Sequence, residues 1–454
     1  MKHTLITSLS VILLSGCTLS PDYTRPIVET PSQWSSQQTQ TTSMAAYDWW
    51  TGFNSEELNA LITQGLENNT DINAGVRRIE QARASLKIAG ASLLPNIDGS
   101  ANVSRSKNNP ESGQTSYNSN LGLGVSVAYE LDLFGANRAN IDSASAGYQA
   151  SLYDQESLKL SLMGDVAVGY FTLLNLHERL KIANNNLENG REILRIIRAR
   201  VREGVESDLE LSQQKSAVAS VEATRVSIIE QIKNAENALA LLLGKPPQSV
   251  FTDKKELDGI TIPAIASGQP SDLLERRPDL LSAEQDLRAA NADIGAARAA
   301  FFPSITLGLS DSVSIAGFGD PSITALGISS SLIAPIFSAG RLDASLEQVT
   351  ARQLELVEIY KGSVLTAFQE VENALAAVRS AQDREIALKT TMEQARLAYT
   401  LSKKRYDAGS IDYQTLLDTQ NAQLSAEDTY AQARLARLTS AVNLFKALGG
   451  GWVS

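Results

Sequence analysis

Few side chains in this chain of 454 residues could do covalent or acid–base chemistry. Cysteine occurs once, at Cys17, so neither an intrachain disulfide nor a cysteine-based zinc site can form. Histidine occurs twice. His3 falls in the leader, and His177 stands between Leu176 and Glu178 in a helical pattern, where it reads as a packing or surface residue. No nucleophile–base pair, phosphate-binding loop or metal cluster is evident, so no enzymatic activity and no cofactor are expected. The net charge of -11 argues against a nucleic-acid partner. With four methionines, Met1 included, a thioether-lined route for soft metals is not expected. What remains is one thiol near the chain start, and carboxylates and tyrosines whose meaning depends on architecture.

The thiol closes a leader. Met1 to Cys17 has a basic start at Lys2, an apolar run through Leu14, and then Leu14-Ser15-Gly16-Cys17. That is the layout of a secretory signal, too short to span a bilayer as a helix. The small residues before Cys17 resemble the bacterial lipobox, in which cleavage leaves the cysteine as the new N-terminus for acylation. Thr18, rather than an aspartate, implies sorting to the outer membrane. Acyl chains contribute about 0.8 kcal/mol per buried CH₂ and span nothing.

The elements come in two sets. From Ala292 the chain reads ADIGAARAAFFPSITLGLSDSVSI, a helix to Phe302, a break at Pro303, and then alternation. Ile305, Leu307, Leu309, Val313 and Ile315 share one face, with serine, threonine and glycine on the other. The same junction occurs at Ala84 to Val103, with Pro95 as the break. A spacing of about 200 residues is a duplicated half, since solenoid periods run about 20–50. Residues 18–53 read as an extended arm docked by Trp34, Trp49, Trp50 and Phe53. The first repeat, 54–247, begins with a helix from Glu56 to Leu94, broken or capped at Asn68-Asn69-Thr70. Its hairpin covers 95–134. There Ser104 to Asn120 reads as a polar loop, and Leu121, Leu123, Val125, Val127, Tyr129, Leu131 and Leu133 alternate without a miss. A long helix from Ala136 to Val201 turns at Gly204 into a second helix ending at Leu243. Val218, Ile232 and Leu239, with Val221, Ile228, Ala235 and Leu242, form a packing seam of period 3.5, and Arg225 is its misfit. A linker, 248–270, precedes the second repeat, 271–450. Here a helix runs from Leu273 to Phe302 and a hairpin covers 303–337, with strands Ser304–Ile315 and Ile323–Phe337. A long helix to about Ala408 then turns at Gly409, and a last helix ends at Leu448-Gly449. Residues 451–454 are a tail.

The alternating strands match the 9–11 residues a membrane β-strand needs. No mature segment approaches the ~20 apolar residues of a spanning helix. Four strands cannot close a membrane barrel, because an open sheet leaves edge groups unpaired in lipid. Three chains would supply twelve. The expected fold is an α+β membrane protein, a homotrimeric twelve-stranded β-barrel continued by a long periplasmic α-helical barrel. The competing expectation is a periplasmic coiled-coil adaptor or structural lipoprotein without a pore.

Several stretches also carry a resemblance. They are Gly16-Cys17 with Pro21-Asp22-Tyr23-Thr24-Arg25-Pro26, Glu275-Arg276-Arg277-Pro278-Asp279-Leu280, Ala290 to Ile305, Asp412 to Gln420, and Leu448-Gly449-Gly450-Gly451-Trp452. Together the chain resembles the TolC-like outer membrane factor family, in its lipoprotein branch. The resemblance implies a passive exit duct in the outer membrane, lipid-anchored at Cys17. Its partners would be a periplasmic adaptor (membrane fusion) protein and an inner-membrane RND-type pump, and it would export drugs or other toxic small molecules. It also implies a periplasmic aperture at the turns Gly204 and Gly409. By position, Asp418 would form an inward acidic ring, Thr415 stands where a second acidic residue is found, and Tyr406 matches a latching tyrosine with Glu210 as its partner. The latch arginine falls at Ile411. Arg200 and Arg405, at equivalent places in the two halves, would be structural or adaptor-contacting.

Overall fold

The computed structural model describes residues 19–35, 48–111, 113–249, 256–265, 268–316 and 322–450. Cys17, the leader and the tail lie outside them. Ser55 accepts from the Leu58 N–H and opens α1 (Glu56–Asn68), with Glu56 and Glu57 in the first turn against the positive helix end. Asn69 ends α1 and starts α2 (Thr70–Ala91). Its side-chain oxygen accepts from the Asp71 and Ile72 N–H groups, and its amide donates to the Leu242 carbonyl. Then come β1 (Asn96–Asn108), β2 (Ser116–Leu131), α3 (Ala136–Arg202) and α4 (Asp208–Leu242). The second half runs α5 (Leu273–Arg276), α6 (Pro278–Ala299), β3 (Ser304–Ala316), β4 (Ser322–Ile333), α7 (Arg341–Asp407) and α8 (Tyr413–Ala447). Helices α3 and α7 both have 67 residues, and α4 and α8 both have 35. At 1.5 Å per residue, α3 is about 100 Å long.

The boundaries differ from expectation in five places, each with a local cause. The helices before Pro95 and Pro303 stop at Ala91 and Ala299 rather than at Leu94 and Phe302. The last residues tighten into i→i+3 bonds (Leu94 N–H to Ala91, Phe302 N–H to Ala299), because proline disfavours helical backbone at the residue before it. For the same reason Arg277 is extended before Pro278, which takes the first position of α6 and divides the single helix expected from Leu273. Strand β4 ends at Ile333, two residues before Pro335, and not at Phe337. The largest correction concerns the polar stretch Ser104–Asn120. Ser104 to Asn108 pair with Asn120 to Ser116, so only residues 109–115 lie outside the strands. Both faces are hydrophilic there, and hydropathy carries no period.

The chain falls into two compact units. One holds the sheet and comprises the described residues within 19–27, 77–152 and 282–362. Its strands are antiparallel in the order β1-β2-β3-β4. Ile97, Val127, Leu309 and Ile328 form a row across all four strands. Leu121, Leu123 and Val125 lie on the same face and are exposed. The other face is lined by Ser100, Ser126, Ser310 and Ser312 with Gly124, Gly308 and Gly327. Asp311 is the charged residue on the apolar face of β3, in one row with Gly99, Val125 and Leu326, beside a depression of about 410 Å³. In this unit the arm lies against α6. Asn291 donates to the Pro21 carbonyl at 2.7 Å, and Arg298 to the Leu19 carbonyl at 3.3 Å. A Cβ on Gly295 would overlap Ser20. Glu284, its side chain 3% exposed, takes Arg25 at 2.5 Å and Arg288 at 3.0 Å, and Arg288 stacks on Tyr23.

The second unit comprises the described residues within 28–76, 153–281 and 363–450. Trp49 stacks on Phe445 at 5.0 Å, and Phe53 packs on Phe171 at 5.1 Å. Trp34 is buried, edge-on to Phe368, with its indole N–H donated to the Gly268 carbonyl. Helix α3 contains an 18-residue window apolar enough for a membrane span, which the sequence reading had not expected. That window is 56% buried, and Val166, Ala167, Tyr170, Phe171, Leu173 and Leu174 are wholly inside. Its hydropathy is spent on packing. On α4 every seam residue is buried or half-buried, Arg225 included.

Candidate functional site at the helix turns

Two turns connect the long helices, and both are built the same way. Gly204 (φ +72°) and Gly409 (φ +74°) adopt left-handed backbone, which glycine enters without steric cost. The Val205 N–H donates back to the Arg200 carbonyl and the Ser410 N–H to the Arg405 carbonyl, both at 2.9 Å. Each following helix is capped by its own side chain. Ser207 opens α4 in a reciprocal capping box with Glu210, and Asp412 opens α8 by accepting from the Thr415 N–H at 2.8 Å.

A buried cluster holds the turns together. It consists of Ile193 and Ile197 from α3, Tyr399 and Tyr406 from α7, and Tyr413 and Leu416 from α8, with Val201, Leu211, Ile411 and Leu417 packed against it. Tyr406 is its polar centre. Its hydroxyl donates to Glu206 Oε1 at 3.0 Å. The Arg200 guanidinium lies 4.3 Å over its ring and donates to the Tyr406 carbonyl at 3.2 Å, and it stands 3.5 Å from Glu206. Burial, then the hydrogen bond to Glu206, pushes the Tyr406 hydroxyl up to about 12. Tyr413, edge-on to Tyr406 at 6.4 Å, donates to Gln214 Oε1, and Gln214 Nε2 donates to the Gly190 carbonyl. Burial also pushes the Tyr413 hydroxyl up.

The expected Tyr406–Glu210 pair is therefore not what the chain forms. Glu210 sits at the third position of α4, where the N–H and the hydroxyl of Ser207 both donate to its carboxylate. Hydrogen bonds from Ser207 hold it below the usual carboxylate range. Glu206, left unused in the turn, meets the tyrosine instead. The cation missing at Ile411 comes from Arg200, while Arg405 is exposed and contributes its carbonyl. Sequence reasoning passed over Glu206, although a carboxylate two residues after a left-handed glycine and one before an N-cap has no helical role. Thr415 and Asp418 stand on the exposed side of α8, outside the cluster. Gln414 donates to Asp418 at 2.8 Å.

At the helix-to-strand junctions, Pro95 and Pro303 each stand one residue before a strand. Phe302 stacks on Phe134 at 4.6 Å, and Asp132 accepts from the Asn137 and Arg138 N–H groups while pairing with the Arg138 guanidinium. None of this is machinery for bond making. A tyrosine–carboxylate hydrogen bond contributes about 1.5–3 kcal/mol and a cation–π contact about 0.5–2 kcal/mol, the scale needed to hold or release a helix turn.

Comparison with known proteins bears on what is held. Residues 61–245 and again 269–450 match the family described as outer membrane efflux protein. The chain is 37% identical to the pyoverdine export outer membrane protein OpmQ of Pseudomonas aeruginosa, over 98% of this chain and 96% of that protein. It is 34% identical to the toluene efflux pump outer membrane protein TtgC of Pseudomonas putida, over 99% and 96%. Among solved structures, the open-state MtrE outer membrane channel of Neisseria gonorrhoeae superposes with a TM-score of 0.86 at 32% identity, covering 96% of this chain and 98% of that one. The CmeC outer membrane channel of Campylobacter jejuni gives 0.90 at 27% identity, covering 96% and 95%.

Proposed function

The chain belongs to the outer membrane efflux protein family, and from that premise we propose that it is one third of a trimeric exit duct. It is an outer-membrane efflux channel. The observation that carries the trimer is the sheet. Among the described residues its strands β1 and β4 have no second partner within the chain, and its apolar face is exposed, so only sister copies can close it in lipid. Three chains would give twelve strands, an even number within the range of bacterial barrels. The two equal helix sets and the family's double match support a duplicated unit.

The duct would be anchored by acylation of Cys17 and would receive cargo from an adaptor protein and an inner-membrane RND-type pump. Relatives named for pyoverdine export and for toluene efflux match this chain end to end, so the cargo class is small molecules selected upstream. The aperture would be the pair of turns at Gly204 and Gly409. Tyr406, Glu206 and Arg200 hold the turns, and Asp418 of three copies forms an acidic ring that repels itself and draws cations. Planar-bilayer recordings test both parts. Wild type should insert as a heat-modifiable trimer with low, cation-selective conductance. Tyr406→Phe should raise the conductance, and Asp418→Ala should reduce the selectivity. A lone water-soluble chain ends the duct reading, and unchanged conductance and selectivity in both variants moves the gate elsewhere.

A further inference from the structure

We infer that Arg105, Lys107 and Tyr117 form a docking site for the phosphate groups of outer-leaflet lipid. The inference rests on the duct reading above. It starts from register. Val103 pairs with Leu121, Arg105 with Ser119, and Lys107 with Tyr117, so the two cations continue the face that carries Ile97, Ala101 and Val103. Tyr117 stands between them, its ring 5.5 Å from the Arg105 guanidinium and 5.8 Å from the Lys107 ammonium. All three side chains are exposed. Among the described residues, neither cation makes an ion pair.

The charges on the two strands of the hairpin are sorted by face and by end. Both strand carboxylates, Asp98 and Glu130, lie on the opposite, serine-rich face and near the helix end of the sheet. At the height of the two cations that opposite face carries Ser104, Ser106, Asn118 and Asn120, all neutral. A soluble hairpin has no reason to place its cations directly beyond an apolar stripe with no strand carboxylate to meet them, and Glu111, in the loop beyond Asn108, makes no ion pair with either cation among the described residues.

Height completes the case. From Leu131 to Leu121 the apolar side of β2 covers about 34 Å at 3.4 Å per residue. Tilted by about 40°, that becomes a band of roughly 26 Å, the lipid-facing height of an outer-membrane barrel. The Arg105 and Lys107 rows follow within about 10 Å, on the loop side, away from the helices. Tyrosine belongs to the aromatic girdle at that level, and long basic side chains reach up to the headgroups. The occupant that fits is a lipid whose acyl chains lie on the Val103–Leu121 row and whose phosphate meets the two cations. Free phosphate would have no use for the apolar row.

Detergent-extracted trimer titrated with a bisphosphorylated diglucosamine lipid, read by native mass spectrometry, tests this. At roughly 1 kcal/mol for each basic residue near an anionic surface, Arg105→Ser with Lys107→Ser should weaken retention about 30-fold. Arg105→Lys with Lys107→Arg should retain the lipid. The same lipid stripped of phosphate should bind wild type and the serine variant alike. Equal retention of the phosphorylated lipid by wild type and serine variant overturns the proposal, as does inorganic phosphate alone competing fully with the lipid. Should the double serine variant fail to assemble, Lys107→Ser at the strand end carries the measurement, with a loss of about fivefold expected. Conductance separates the two levels. A wild-type chain that forms no pore sinks the duct reading, whereas normal pores without phosphate preference sink this inference alone.

Discussion

At the scale of single residues, the helix-turn cluster depends on a tyrosine that must stay protonated. The folded Tyr406 hydroxyl titrates at about 12, above its ordinary 10.0. Its stabilisation is therefore complete below pH 10 and is lost as the pH rises toward 12. Channel conductance should be flat from neutral pH to about 10 and should then climb. Tyr406→Phe keeps the ring under Arg200 but loses the bond to Glu206, about 1.5–3 kcal/mol, and should conduct more already at pH 8. Glu206→Gln should act in the same direction more weakly, whereas Glu210→Gln should act only through the α4 cap. Recordings that rank Glu210→Gln above Glu206→Gln would restore the pairing read from the sequence. Against the arm, α6 presents a carboxylate, Glu284, whose shift runs the opposite way. Burial pushes Glu284 up, but the hydrogen bonds and charges of Arg25 and Arg288 more than offset it and leave it below its ordinary 4.5. Its contribution is present above pH 4.5 and lost as the pH falls through its lowered value. Proteolytic release of the arm should therefore begin on acidification in wild type, and Glu284→Gln should release it already at neutral pH. Tyr406 was legible only through the family resemblance, as the match to a latching tyrosine. Its partners were not, because a linear reading ranks Glu206 and Glu210 equally until the capping box takes one of them.

Elements stop where the backbone requires, and the four left-handed glycines that follow the C-termini of the long helices separate two kinds of requirement. A Cβ on Gly204 or Gly409 meets nothing within 4 Å, so alanine there costs only the left-handed penalty of about 1–2 kcal/mol. A Cβ on Gly244 would overlap the Asn68 carbonyl oxygen, and one on Gly449 would press on the Arg276 carbonyl at 2.9 Å. Thermal unfolding of the extracted protein should fall slightly for Gly204→Ala and substantially further for Gly244→Ala. Equal shifts would show that the strain lies in φ alone. Long helices, turns and the α4 seam were legible because glycine, proline and a 3.5 period mark them directly. Ser104–Asn108 and Ser116–Asn120 were not, since strands polar on both faces carry no alternation and are held by their ladder. The break at Arg277 was legible in principle, since Pro278 marks it, but the alanine-rich helix beyond obscured it.

For the whole molecule, the question is which solvent the sheet meets, and two adjacent residues decide it. Leu309 belongs to the row Ile97–Val127–Leu309–Ile328 and is 44% exposed in the chain, while Ser310 points to the other face, opposite Ser126 and Gly327. In water, a charge at an exposed leucine usually changes stability by no more than about 0.5 kcal/mol. In lipid, arginine near the midplane of a barrel costs about 2–4 kcal/mol, and a trimer would pay it three times. Leu309→Arg should therefore abolish the heat-resistant trimer in outer-membrane fractions. Ser310→Arg should assemble normally and lower cation selectivity, because three positive charges would then line the conduit. Asp311, next along the strand on the apolar face, sets the limit of this contrast. Asp311 lies in one row with Gly99 and Val125 beside a depression of about 410 Å³, and a leucine there would continue the apolar row, so Asp311→Leu should leave assembly intact or strengthen it. If Leu309→Arg assembled as well as Ser310→Arg, the apolar row would be facing water, and four strands per chain would have to find another way to cover their edges.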